Sequence, residues 1–104
     1  MSNWTAFNFG KTIGAINEGG VILFDEEHPD LARITLKRNK NFISVSLNIY
    51  GWMDHTRFFN SDADAQREYR AMRSSIHSVL DLINSNAKDI KIWEAISEFV
   101  RRFP

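Results

Sequence analysis

The chain has 104 residues, which at about 100–200 residues per domain leaves room for one domain. Thirteen basic and thirteen acidic side chains cancel, and this disfavours nucleic acid and anionic membranes as partners, because both require a basic surface. The absence of cysteine excludes disulfides, zinc–thiolate sites, iron–sulfur clusters and a thiol nucleophile.

The first residues contain neither the basic nor the apolar region of a secretory signal. The longest apolar run, residues 21–24, is far shorter than the roughly 20 residues that span a bilayer. We therefore expect a cytoplasmic protein that makes no contact with a membrane.

Up to about residue 60, the sequence has the alternation of apolar and polar residues that is typical of strands. Strands are predicted at residues 21–25, 31–38 and 42–49. Glycine, proline and asparagine residues lie between these segments, and connections this short join antiparallel neighbours. The pattern predicts an antiparallel meander of four or five strands between about residues 4 and 60.

The alternation is lost after residue 49, and the sequence allows two structures there. Either one long strand bends at a bulge on Gly51, or the chain turns into a further strand over residues 55–59. We favour the bent continuous strand, because no strong two-residue hairpin signal is present.

The second part of the chain is predicted to be helical. Apolar residues recur at helical spacing over about residues 62–84, with Ser61 and Asp64 as a weak capping box at the start. A second helix is predicted over about 88–103, and its apolar stripe comprises Ile92, Trp93, Ile96, Phe99, Val100 and Phe103. We predict a single α+β domain, residues 1–104, with the two C-terminal helices packed on one face of the sheet.

No arrangement of residues in the sequence indicates catalysis. The spacing of the three histidines matches none of the paired helical metal motifs, so we assign no metal ligand, no catalytic residue and no cofactor. Asp54 and His55 are adjacent and could suggest acid–base chemistry near Thr56, but neighbouring strand residues point to opposite faces. We interpret His55 as a hydrogen-bonded residue at a strand bend.

The outward face of the sheet is the best candidate for a binding surface. Tyr50 and Trp52 would share this face with the polar residues of the strand over 42–49, if that strand runs straight through Gly51. Arg33 and Lys37 could join them from the neighbouring strand. Aromatic and basic side chains together suit either a protein partner or a single-stranded nucleic acid. Helices covering this face, or a bulge that turns Trp52 inward, would leave no such surface.

Charged residues are unevenly distributed along the sheet segment. Residues 18–30 contain acidic side chains and no lysine or arginine, whereas residues 33–40 contain four basic side chains and no acidic one. On adjacent antiparallel strands the two groups would lie side by side and largely neutralise one another. This arrangement requires no external partner.

These observations lead to three functional hypotheses. The leading one is a small, non-enzymatic module that binds another protein, with a second copy of the chain (a homodimer) as one such partner. The first alternative is single-stranded nucleic-acid binding through Arg33, Lys37, Tyr50 and Trp52. The second alternative is a small-ligand pocket or an enzyme near Asp54 and His55.

Overall fold

The computed structural model describes residues 3–104, which form two compact units. The first unit ends at Tyr69 and contains the sheet, and the second comprises Arg70–Pro104. The division falls inside a helix, so no loop separates the two units along the chain. That both units belong to one domain stays a prediction.

The described part of the first unit contains an antiparallel sheet followed by a helix, which agrees with the predicted α+β class. The order across the sheet is β1-β3-β4-β5-β6, and β2 pairs with β3. Two of the six strands are only two residues long and were not predicted individually. The strands are β1 Thr5–Ala6, β2 Ile16–Asn17, β3 Gly20–His28, β4 Ala32–Arg38, β5 Ile43–Ile49 and β6 Met53–Phe59.

The expected bent strand at Gly51 is wrong, because the chain forms a tight hairpin there. Ile49 pairs with Met53, and the Trp52 N–H donates to the Ile49 carbonyl at 2.9 Å. Gly51 has φ +81° at the third position of this turn, where a type II turn requires a left-handed residue. Tyr50 and Trp52 therefore lie in the turn, and β6 is a separate strand.

The register gives the sheet two chemically different faces, because residues directly opposite one another point to the same side. Ile34 of β4 pairs with Leu47 of β5, and both are fully buried. The next pair, Thr35 and Ser46, lies on the other face and keeps access to solvent. This second face, called the outer face below, carries Asp25, Glu27, Arg33, Thr35, Lys37, Ser44, Ser46, Asn48, Asp54, Thr56 and Phe58.

A strained turn at Phe7–Gly10 connects β1 to the rest of the N-terminal segment. Asn8 and Phe9 have φ values of 49° and 58°, a left-handed conformation that costs a residue with a Cβ atom roughly 1–2 kcal/mol. The ring of Phe9 is 92% exposed. The turn thus holds an aromatic side chain in solvent at an energetic cost.

The predicted helix over residues 62–84 is interrupted, and the structure has α1 Asp62–Ser75 and α2 His77–Asn84. Ser61 caps the start of α1 as predicted, since the Asp64 N–H donates to its hydroxyl at 3.2 Å. At the interruption, the hydroxyl of Ser78 donates to the Ser75 carbonyl at 3.3 Å. Serine hydroxyls compete for backbone groups in this way, which weakens a helix at such a point.

The last helix, α3 Asp89–Arg102, agrees with the prediction in its position and its buried stripe. Ile92, Ile96 and Phe99 are buried, and the Phe99 and Phe103 rings lie 4.8 Å apart. Trp93 departs from the expected pattern, because it is 46% exposed at the flank of this stripe. Together with Ile90, which is 63% exposed, it gives α3 apolar surface outside its buried stripe.

The β5–β6 turn provides a test of the glycine requirement at position 51. Gly51→Ala is expected to lower the free energy of unfolding by about 1–2 kcal/mol, because φ is left-handed there. A Cβ atom would meet no other atom within 4 Å, so backbone strain alone is measured. Gly51→Asn should lower the free energy of unfolding less than Gly51→Ala does, since asparagine tolerates this conformation better than alanine. Urea denaturation of the three proteins measures this, and equal stabilities would contradict the assigned turn.

Candidate interaction surfaces

The carboxylate of Asp25 is the centre of a buried polar cluster on the outer face. Arg33 binds it in a bidentate manner, with Nε donating to Oδ1 at 2.9 Å and Nη2 donating to Oδ2 at 2.6 Å. The hydroxyls of Thr12 and Thr35 donate to Oδ2 and Oδ1 at 2.7 and 2.9 Å. Each carboxylate oxygen therefore accepts two hydrogen bonds, and the side chain of Asp25 has no exposed surface.

Opposing effects determine the ionisation of Asp25. Burial alone would raise its pKa, because a carboxylate is less stable away from water. The hydrogen bonds from Arg33, Thr12 and Thr35, together with the charge of Arg33, outweigh burial and hold the pKa below its ordinary value of 3.8. The hydrogen bond to Asp25 in turn raises the pKa of Arg33. The pair is therefore ionised in the folded protein at neutral pH.

A bulge in β3 brings Asp25 to the outer face. Ile22 pairs with Lys37, but Phe24 pairs with Leu36, so β3 has one extra residue between these two positions. With an unbroken register, Asp25 would lie opposite Ile34 on the apolar face; after the bulge it lies opposite Thr35. The bulge thus places a charged group among donors and away from the core.

Aromatic side chains complete this end of the outer face. The guanidinium carbon of Arg33 lies 3.7 Å from the centre of the Phe7 ring, a cation–π contact. The hydroxyl of Tyr50 donates to Glu27 Oε2 at 2.8 Å. Burial, this hydrogen bond and the charge of Glu27 raise the pKa of Tyr50 to about 12. Phe7 and Thr12 attach the N-terminal segment to the strands through this cluster.

The six residues that the sequence proposed for binding do not form one site. Arg33 and Tyr50 belong to the cluster around Asp25 and Glu27, whereas Lys37 lies further along β4 with its ammonium 4.0 Å from Glu18. Trp52 is half-buried in the hairpin turn.

Asp54 and His55 are separated by the sheet. Asp54 is exposed on the outer face opposite Asn48, and His55 lies on the other face opposite Leu47. Their side chains therefore point away from one another.

Asp25 and Thr12 were not predicted to be members of the cluster. The expectation that the acidic and basic stretches pair across adjacent strands is confirmed for Asp25 with Arg33. Glu18 lies in the turn between β2 and β3, with its carboxylate 4.0 Å from the Lys37 ammonium. A carboxylate directly after an apolar run was the available signal, but the direction of its side chain depends on the bulge. No pattern in the sequence indicated that Thr12 contacts Asp25.

The opposite end of the outer face is an open groove across β4, β5 and β6, with a volume of about 320 Å³. The rings of Phe42 and Phe58 meet edge to face with centroids 5.5 Å apart, and they are 39% and 66% exposed. The hydroxyls of Ser46 and Thr56 share a hydrogen bond of 2.9 Å in the groove. This Phe42/Phe58 groove is lined by Lys37, Phe42, Ser44, Ser46, Thr56 and Phe58, with Glu18 and Asn39 at its rim.

A second exposed surface lies on α3 in the second unit. Ile90, Glu94, Ser97 and Arg101 follow one another at spacings of four, three and four residues, so they form one row on the side opposite the buried stripe. Trp93 and Glu98 flank this row, and Glu98 accepts a hydrogen bond from Arg101 at 2.7 Å. These residues line a shallow groove of about 400 Å³, and the surface is called the exposed α3 row below.

Neither surface includes a cluster of side chains that could bind a metal ion among the described residues. Among residues 3–104, no group of three or more histidine, cysteine, aspartate and glutamate side chains is arranged to hold a metal ion. The helices within the same residues are too short or too polar to cross a bilayer. No family model, curated protein or solved structure matches the chain.

The buried ion pair predicts a specific pH dependence of stability. Because the pKa of Asp25 is lower in the folded state, its contribution is fully present above its ordinary value of 3.8 and is lost as pH falls below it. Asp25→Asn should lower the free energy of unfolding at pH 7 by about 1.5–3 kcal/mol, the range for a hydrogen bond to a charged group. Urea denaturation between pH 2 and 7 should show the difference between the two proteins shrinking towards acid pH. A difference that does not change with pH would contradict the assignment.

Proposed function

We propose that the chain is a non-enzymatic protein-binding module whose partner is a second copy of itself, bound through the exposed α3 row. The observation that carries this proposal is the order of residues in the row. Its N-terminal half contains Ile90, Trp93 and Glu94, and its C-terminal half contains Glu98 and Arg101, which are hydrogen-bonded to one another; the small Ser97 lies between the halves. When two copies of α3 lie antiparallel, the apolar and acidic side chains of one N-terminal half face the arginine of the other copy's C-terminal half.

An antiparallel pair of α3 helices makes use of this complementarity. A two-fold axis near the middle of the row places Ile90 of one copy against the aliphatic stem of Arg101 of the other. The same guanidinium then lies within reach of Glu94 and the face of Trp93, giving an ion pair and a cation–π contact. Each contact occurs twice, and the antiparallel direction also aligns the helix dipoles favourably.

The chemistry of the exposed side chains supports a protein partner. Tryptophan and arginine are enriched among residues that dominate binding energy at protein interfaces. Trp93, Ile90 and Arg101 are exposed to solvent in the chain by itself, so a partner would remove them from water. A single helical row buries less than a standard interface, so we expect a weak dimer that depends on concentration.

The outer face supports a nucleic-acid partner less well. Arg33 and Tyr50, two of the side chains that would contact phosphates and bases, are bonded to Asp25 and Glu27. A phosphate approaching Arg33 would meet these two carboxylates, and the chain has no net positive charge to offset them. We therefore place the interaction surface on α3.

Charge reversal tests the dimer. Arg101→Glu is expected to raise the dissociation constant of the dimer about tenfold or more, because the substitution acts twice across a two-fold axis and places like charges together. Glu94→Arg should have a similar effect. The double variant Glu94→Arg, Arg101→Glu should restore dimerisation, since the pairing is reversed. Sedimentation equilibrium at several micromolar concentrations measures all four proteins.

Arg102 provides the matched control, because it makes the same charge change possible one residue away on a different side of α3. Arg102→Glu should leave the dissociation constant within about twofold of the original. A strictly monomeric chain at high concentration would overturn self-association. A dimer unaffected by every α3 substitution would overturn the α3 interface and point to the edge strand β6.

A further inference from the structure

We infer that the Phe42/Phe58 groove on the outer face binds a small aromatic carboxylate. The ring of such a ligand would lie against the two phenylalanines, and its carboxylate would accept from Lys37 and the hydroxyls of the groove floor. This site shares no residue with the proposed dimer interface, since all of its residues lie in the first unit and the exposed α3 row lies in the second.

The register brings the donors of the groove together. Lys37, Ser44 and Phe58 lie directly opposite one another across β4, β5 and β6, so they form one row on the outer face. Ser46 and Thr56 belong to the next row, and one of their two hydroxyl hydrogens is not used in the bond that they share. The groove therefore presents an ammonium group and one unused hydroxyl hydrogen beside exposed aromatic surface.

Asn39 adds an unused donor at the rim of the groove. Its side-chain nitrogen is buried and has no hydrogen-bond acceptor in the described residues, a state that costs free energy unless an acceptor is supplied. Gly20 allows Asn39 and Lys37 to approach the strand closely. A Cβ atom on Gly20 would lie 2.5 Å from Asn39 Oδ1 and 2.8 Å from Lys37 Cγ.

The charges of the groove favour a singly charged ligand. Lys37 is the one cation among the described residues that line it, and Glu18 is the one anion. Glu18 is highly exposed and its carboxylate is 4.0 Å from the Lys37 ammonium, so a ligand carboxylate can take its place. A phosphate dianion would require a second cation, preferably an arginine. The volume of about 320 Å³ lies at the small end of the range for ligand sites.

Benzoate is a suitable probe, and benzamide is its uncharged counterpart of the same shape. We expect benzoate to produce saturable shifts in the amide NMR signals of Ser44, Thr56 and Phe58, with a dissociation constant of about 1 mM. Benzamide should bind about tenfold more weakly or worse, because it carries no charge for Lys37. Lys37→Gln should weaken benzoate binding to the same extent.

Two further variants separate the parts of the site. Glu18→Gln should bind benzoate more tightly, because it removes the competing carboxylate, and Phe58→Ala should bind it more weakly, because it removes ring contact. Lys40→Gln is the matched control, since Lys40 is exposed and does not line the groove. The affinity of this variant for benzoate should be unchanged. The proposal is overturned by the absence of shifts up to about 10 mM benzoate, by equal binding of benzamide, or by undiminished binding to Lys37→Gln.

Discussion

The bidentate pair of Asp25 and Arg33 is the constraint on which the outer face depends. Removing the charge of Asp25 from water is unfavourable, and the buried carboxylate is stable only when the geometry of the pair is good and its remaining lone pairs are satisfied. Here Thr12 and Thr35 supply the additional donors, and Phe7 covers the guanidinium. Because Thr12 and Phe7 lie in the N-terminal segment, the ion pair also fixes that segment against β3 and β4.

This arrangement divides the outer face into two ends with different chemistry. At one end, Arg33, Asp25 and Glu27 form hydrogen bonds within the protein, so they offer a partner little unpaired charge. At the other end, Phe42 and Phe58 remain exposed beside Lys37. The proposed ligand site lies at this second end, and the proposed dimer surface lies on α3 in the second unit. The two surfaces share no residue.

The sequence predicts those features that depend on local pattern. The strands over 31–38 and 42–49 alternate regularly, and β4 and β5 agree with them within one residue at each end. Features that depend on a single backbone conformation were not predictable. Gly51 is compatible with a bulge and with a turn, so the sequence left both open; the favoured bent strand is wrong, and the alternative, a turn into a further strand, is the observed one. The orientation of Asp25 follows from the bulge after Ile22, which leaves no mark in the alternation pattern.

The left-handed turn at Asn8 and Phe9 has a consequence for how this protein can change over time. Two adjacent non-glycine residues in this conformation represent a reserve of stability that a glycine at either position would release. In a homologue that carries destabilising substitutions elsewhere, one substitution to glycine at position 8 or 9 would restore part of the free energy of unfolding. At position 9, that substitution would remove the most exposed large hydrophobic ring of the described chain. Retention of phenylalanine at this position in such homologues would indicate selection on the ring itself.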